Sequence, residues 1–253
     1  MINRAHRVRA AIVAASFLLL AGCGGGTAER LGAGAGGSPP GHGGATPAPA
    51  PTASRAAEPR RLPGLGPRTL AAIPSRTRQA VVVTGRGKDS SSSHVVLYER
   101  TEAGWRAGPS RPAHNALKGW TDHHRAGDLR SPIGVFTLTD AGGLRPDPGT
   151  RLPYDRSGAF TSPGTGFEGE SLAGSFDYVV AVDYNRRPGT TPLDWTRPLG
   201  ASRGGGIWLH VDHGGPTHGC VGLRERDLVE LMRALDPALH PVVVMGDAAS
   251  LAR

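Results

Sequence analysis

Two cysteines, Cys23 and Cys220, are all that 253 residues contain, so the chain is no disulfide-stapled scaffold. Ala10 to Leu20 is apolar but falls short of the roughly 20 residues a spanning helix needs. Gly85-Arg86-Gly87-Lys88-Asp89-Ser90 lacks the spacing of a nucleotide phosphate loop and the helix that should follow it. No basic-aromatic motif accompanies the net charge of +8, which is carried mostly by arginine. No internal repeat is visible. What the chain does have is a basic and then apolar beginning, a low-complexity segment and one dense cluster of reactive side chains.

Arg4, His6, Arg7 and Arg9 form a basic segment ahead of the apolar run, as in an export signal. The run ends in Leu20-Ala21-Gly22-Cys23, which resembles the lipobox of bacterial lipoproteins. That resemblance implies a signal peptide over residues 1–22 and a diacylglycerol on Cys23. An ordinary cleaved signal peptide is the alternative. Residues 23–62 are Gly, Ala, Pro, Ser and Thr with almost no large apolar side chain, so they cannot offset their ordering entropy and read as a tether. Export takes nucleic acid out of reach, leaving anionic envelope polymers as sufficient partners for the positive charge. Residues 63–253 are enough for one domain with a core. With Cys23 lipidated, Cys220 has no intramolecular disulfide partner, and a lone thiol outside the cytoplasm is either inert by burial or kept for its chemistry.

Short β-branched runs recur along that domain: Ala80 to Thr84, His94 to Glu99, Ile133 to Thr139, Tyr178 to Val182, Ile207 to Val211 and Val242 to Met245. Trp105 lies just past a turn, on a hairpin partner. Gly-, Pro- and Asp-rich loops separate the runs, predicting a mainly β, mainly antiparallel domain, a sandwich or partly open barrel. Leu228, Leu231, Met232 and Leu235 fall at helical spacing before Asp236-Pro237, predicting one helix after Cys220.

The cluster is Gly206 to Leu223, GIWLHVDHGGPTHGCVGL. Three readings compete for His210, His213, His218 and Cys220. A thiolate stabilised by a neighbouring imidazolium would be a nucleophile, with glycine-flanked peptide N–H groups as an oxyanion site, and would alkylate faster than an ordinary thiol. A zinc site is possible by ligand type, although the spacing is unfamiliar. A buried cysteine with unrelated surface histidines is the third. Trp208 is expected in the core, away from the face of His210. Two readings stand for Asp122-His123-His124-Arg125, a border of the cleft and, preferred, a solvated loop; Asp128 reads as a turn cap.

His210 followed by Thr217-His218-Gly219-Cys220 resembles the signature of the L,D-transpeptidase (YkuD-type) catalytic domain. Gly127-Asp128-Leu129-Arg130-Ser131-Pro132-Ile133-Gly134-Val135-Phe136, Tyr178 to Asn185, Gly206 to Val211 and Leu235-Asp236-Pro237 extend the likeness across the chain after the tether. The resemblance implies a cysteine acyl-transferase acting on peptidoglycan stem peptides, with 3→3 cross-links as the product. Cys220 would be the nucleophile and His210 the general base. The carbonyl of Val211 would orient the His210 ring. Thr217, His218 and Gly219 would support the oxyanion site, the last two through backbone N–H groups. His213 has no counterpart and reads as a loop histidine. Gly222 stands where relatives often have an arginine, and Ala126 where an acid often precedes the Gly-Asp turn. The gap from His210 to Thr217 is shorter than in many relatives. Arg224, Arg203 or Arg130 would have to bind a substrate carboxylate instead. The resemblance implies no cofactor and no metal. The expected protein is a lipid-anchored extracytoplasmic monomer working in the cell wall. The alternatives are a carboxypeptidase or endopeptidase of the same fold, with water as acceptor, and a non-catalytic wall-binding lipoprotein.

Overall fold

A computed structural model describes residues 58–253. The expected signal peptide, the Cys23 lipid site and the tether up to residue 57 lie outside the described residues. The described chain runs α1 (Pro67–Ala72), β1 (Gln79–Gly85), β2 (Ser92–Arg100), β3 (Trp105–Ala107), β4 (Arg111–His114), β5 (Trp120–Thr121) and β6 (Ser131–Pro132). It continues through β7 (Gly134–Thr137), β8 (Ala141–Gly143), β9 (Tyr154–Arg156), β10 (Val179–Ala181), β11 (Trp208–Val211), β12 (Val221–Leu223), α2 (Glu225–Ala234), β13 (Val242–Asp247) and α3 (Ala248–Leu251).

The β-branched runs sort into two faces by strand alternation. In β1 and β13, Val81, Val83, Val243 and Met245 join the main core, while Ala80, Val82, Val242 and Val244 join a second cluster with Leu62, Trp105 and Leu251. β1 and β13 are therefore apolar on both sides, which is why they read as continuous hydrophobic runs. Eleven strands make one sheet in the order β7-β13-β1-β2-β4-β12-β11-β10-β8-β9, with β3 beside β2, and β5 pairs separately with β6. Most neighbours are antiparallel, but β1/β13, β11/β12 and β8/β9 run parallel. The main core takes side chains from strands at both ends of this order, so the sheet curls round a single filling rather than splitting into two packed sheets.

Helix α2 supplies much of that filling. Leu228, Leu231 and Met232 are fully buried, and acidic Glu225 and Asp227 open the helix while Arg233 closes it, as the helix dipole favours. Its C-terminal end is tied to β1 by one buried side chain: Gln79 Nε2 donates to the Ala234 carbonyl at 2.8 Å, and Gln79 Oε1 accepts from Asp236 N at 2.9 Å. A carbonyl that a helix end leaves unpaired is thereby satisfied inside the protein. Two short helices accompany the expected one. Pro67 sits in the first turn of α1, and Asp247 caps α3 by accepting from Ser250 N at 3.1 Å.

Residues 58–62, read as the end of the tether, dock on the domain. Pro59 carbonyl accepts from Trp105 N at 2.8 Å, and Leu62 is buried in the second cluster. Glu58 adds a hydrogen bond from the Thr101 hydroxyl. No helix among the described residues is long and apolar enough to cross a membrane.

Candidate active site

The parallel pairing of β11 with β12 sets the site. Its register matches Leu209 with Val221 and His210 with Gly222. Leu209, Val221 and Leu223 point into the main core. The alternate residues Trp208, His210, Cys220 and Gly222 therefore share the opposite face. This corrects the expectation for Trp208, since residues two apart on a strand cannot face opposite ways. Trp208 and Cys220 pack together with Phe160, Val179 and Ala181 in a third apolar cluster. Phe176 stands edge-on to both Trp208 and His210, with ring centroids 4.9 and 5.6 Å away.

The sulfur of Cys220 has two hydrogen-bond neighbours among the described residues, both backbone. Trp208 N donates to Sγ at 3.4 Å, and Sγ donates to the Gly206 carbonyl at 3.5 Å. Thr217 holds the turn from behind. Its Oγ1 donates to the Cys220 carbonyl at 2.7 Å, its N–H donates to Asn115 carbonyl at 3.0 Å, and its own carbonyl accepts from Leu117 N at 2.9 Å. No acceptor among the described residues takes the N–H of His218 or Gly219, so both are free to meet a ligand oxygen. A Cβ on Gly219 would lie 2.9 Å from Ile207 Cδ1, so any side chain there would have to push the end of Ile207 aside.

His210 is 3% exposed, and its Nδ1 lies 2.8 Å from the Val211 carbonyl. That contact puts the ring hydrogen on Nδ1 and leaves Nε2 with a free lone pair. Burial pushes the imidazole down to about 4, and the nearby His213 adds to the effect against the opposing Val211 hydrogen bond. Burial likewise pushes the Cys220 thiol up to about 11, against a smaller opposing pull from the Trp208 N–H. Both shifts favour a thiol and a neutral imidazole at rest over the expected thiolate and imidazolium: burial outweighs the charge of Asp212 at His210, and His210 is not among the hydrogen-bond partners of Sγ.

His213, expected to be a bystander in its loop, stacks on His210 at 5.8 Å with planes 9° apart. Its Nδ1 lies 3.0 Å from Glu170 Oε1. The Glu170 carboxylate sits where Cβ atoms of Gly166 and Gly215 would otherwise be, which joins the loop before β10 to the turn before Thr217. Phe167 of the same loop meets the His218 ring at 4.6 Å.

Cys220 opens into a cleft of about 450 Å³ whose lining includes His124, Trp195, Arg197, Gly206 and His218. Three other cavities, of about 420, 450 and 630 Å³, lie at α1, at Pro237–Val242 and between Pro146–Pro148 and α2, all without the thiol, so the chemistry belongs to the first cleft. His124 was expected in a solvated loop but is 5% exposed and stands edge-on to Tyr184 at 5.3 Å. Asp128 behaves as read, capping the turn by accepting from Arg125 N at 2.8 Å and Arg130 N at 2.9 Å. The three arginines proposed for a carboxylate line no part of this cleft. Arg130 is paired with Asp89 at 2.7 Å, Arg224 is the N-cap of α2, and Arg203 turns its carbonyl to the Tyr184 hydroxyl at 2.8 Å. Gly222 is small because Asp212 folds across it, its Oδ1 3.0 Å from where a Cβ would lie and 2.9 Å from His114 Nδ1. Among the described residues no three His, Cys, Asp or Glu side chains converge as a metal-ligand set. Glu170, Phe176, Trp195 and Arg197 escaped the sequence reading because each lies in a loop remote from Cys220 with no motif around it.

The domain is curled and mainly β, with a strand histidine and a Thr-His-Gly-Cys turn on one sheet face. The family model of the YkuD L,D-transpeptidase catalytic domain matches residues 75–244, and the chain belongs to that family. No curated protein matches the chain. Among solved structures it is similar to Bdellovibrio bacteriovorus Bd1075, at 15% identity and a TM-score of 0.37, over 68% of this chain and 48% of that one. The chain thus spans about half the length of that protein.

Proposed function

We propose that the protein is a cysteine acyl-transferase acting on peptidoglycan stem peptides and forming 3→3 cross-links. The observation that carries this reading is the common face of His210 on β11 and Cys220 at the entry to the adjacent parallel β12, with His210 Nδ1 fixed by Val211 so that Nε2 is the basic atom. The thiol turns from the Gly206 carbonyl toward His210, whose Nε2 takes the proton as sulfur attacks the carbonyl carbon of stem residue three. The N–H groups of His218 and Gly219 receive the developing oxyanion. Collapse breaks the peptide bond, the proton on His210 passes to the leaving D-amino acid, and a thioester remains on Cys220. An amine of a second stem then attacks that thioester, gives its proton to His210 and restores the thiol. Neutral resting groups suit this sequence, because charge appears only as the bond forms. The Leu20 to Cys23 segment supports a lipid anchor on Cys23, with the domain carried outward by residues 24 to 57.

Incubation with a defined stem tetrapeptide, followed by intact-mass analysis, tests the reading. A Cys220-dependent adduct lacking the terminal residue is expected, then a cross-linked dimer when a second stem is supplied. Trimmed peptide without dimer would reassign the acceptor to water. No adduct from either the tetrapeptide or a carbapenem would sink acyl transfer.

A further inference from the structure

The cleft that receives the thiol contains one arginine and no carboxylate. Arg197 Nη1 donates to the carbonyls of Asp194 and Thr196, each at 3.1 Å, and the guanidinium lies over the exposed Trp195 ring at 4.9 Å. It has no ion-pair partner among the described residues. Two glycines of this wall make room for it. A Cβ on Gly205 would fall 2.3 Å from Arg197 Nε, and Gly205 and Gly206 have φ of +142° and +69°. Nη2 lies 3.5 Å from the Cβ position of Gly206, the residue whose carbonyl accepts from the Cys220 thiol. A half-buried guanidinium with its outer edge unpaired, separated from the reacting sulfur by Gly206 and with only the charge of Asp194 acting in its favour, is placed to take an anion entering the cleft.

Resting on the acyl-transfer reading, we infer that Arg197 is the specificity residue for a carboxylate of the donor peptide, held in bidentate fashion with the Trp195 ring as a platform. It would take the role that Gly222 cannot play. Two carboxylates of a stem peptide have this chemistry: the α-carboxylate of the leaving D-residue, and the side-chain carboxylate of a dicarboxylic diamino acid at position three. A planar, two-pronged donor suits either, and an ammonium at the same place would make only single contacts. Partial burial also pulls the proton affinity of the guanidinium down from the ordinary arginine value, against the opposing charge of Asp194.

Binding measured by calorimetry on the full-length chain with Cys220→Ala separates affinity from turnover. Four tetrapeptides are compared, with lysine or a dicarboxylic diamino acid at position three, each ending in a free acid or a carboxamide. With Arg197 present, the peptide bearing the recognised carboxylate should bind at least tenfold more tightly than its match lacking it. Arg197→Gln should erase that ratio, and Arg197→Lys should keep part of it. Discrimination at the terminus identifies the leaving-residue carboxylate, and discrimination at position three identifies the side-chain one. Equal affinities for all four with Arg197 present, or an equal loss across all four in Arg197→Gln, overturns the inference. Cys220 alkylation by neutral iodoacetamide in Arg197→Gln, unchanged within about twofold, verifies that the cleft is intact. Failure of the unmodified chain to form a thioester with any of the four is a separate result, which overturns acyl transfer and leaves the affinities to answer for Arg197.

Discussion

The imidazole of His213 lies parallel to that of His210, centroids 5.8 Å apart, and is held there by Glu170. Two rings so placed do not both carry charge cheaply, so His213 reinforces the burial that keeps His210 neutral. Replacing His213 with Phe preserves a flat ring and removes the second proton site. The His210 titration, followed by NMR of its ring carbon, should move up from about 4 toward the ordinary imidazole value without reaching it, because burial remains. An unchanged titration would show that His213 contributes packing alone.

Cys220 should be a slow thiol at rest. With its proton affinity pushed up to about 11, its thiolate fraction at pH 7 is about 100-fold below that of an ordinary cysteine. Iodoacetamide should therefore modify Cys220 more slowly than it does a model thiol, with a rate that keeps climbing up to about pH 11. A rate faster than the model thiol near neutrality would restore the thiolate-imidazolium pair expected from the sequence.

Stability should depend on pH on both sides of neutrality. Unfolded His210 takes up a proton below its ordinary value of 6.5, whereas the folded ring resists until about 4. The unfolded chain then binds more protons, so stability is complete above about 6.5 and falls as pH drops toward 4, by on the order of 3 kcal/mol at most. Unfolded Cys220 loses its proton above about 9 and the folded thiol keeps it to about 11, so stability also falls on the alkaline side. Urea denaturation across pH should show a plateau between these limits. His210→Asn should flatten the acidic limb and Cys220→Ala the alkaline one, and limbs unaltered in both variants would assign them to other groups.

What could be read from the sequence was local. Cys220, Thr217 and His210 lie within eleven residues, and the register of two adjacent strands turns that proximity into a site. Long strands such as β1 and β13 were legible because both their faces are β-branched and buried. β8 was not, since Ala141-Gly142-Gly143 has no alternation to see. Its glycines are required because a Cβ on Gly142 would meet Phe160 at 2.6 Å and one on Gly143 would meet the Asp177 carbonyl at 2.2 Å. The same limit hid Glu170 and Arg197, whose roles depend on loops brought to the cleft from far along the chain, and left His124 as the less favoured of two readings. Gly222 was visible as a departure, and only the Asp212–His114 pair across it gives the physical reason.

The wall that carries Trp195 and Arg197 grows from a buried ion cluster just after β10. Arg186 Nη1 donates to Asp140 at 2.9 Å and to Asp183, and Nη2 donates to the Thr190 carbonyl at 2.6 Å. Asp183 also accepts from Thr137 Oγ1 at 2.5 Å and Thr139 Oγ1 at 3.0 Å, yet burial holds its carboxyl above the usual range. Two buried carboxylates thus depend on one cation. Arg186→Met should cost about 3–5 kcal/mol in urea denaturation, because both acids are left uncompensated. The deficit should be largest near pH 8 and shrink toward pH 5, since an acid whose folded proton affinity is raised favours the folded state when protonated. Adding Asp183→Asn and Asp140→Asn to Arg186→Met should recover much of the loss by removing the orphaned charges. A loss independent of pH and unrelieved by the added substitutions would mean that Arg186 acts by filling space, and that the wall bearing Arg197 is held by other contacts.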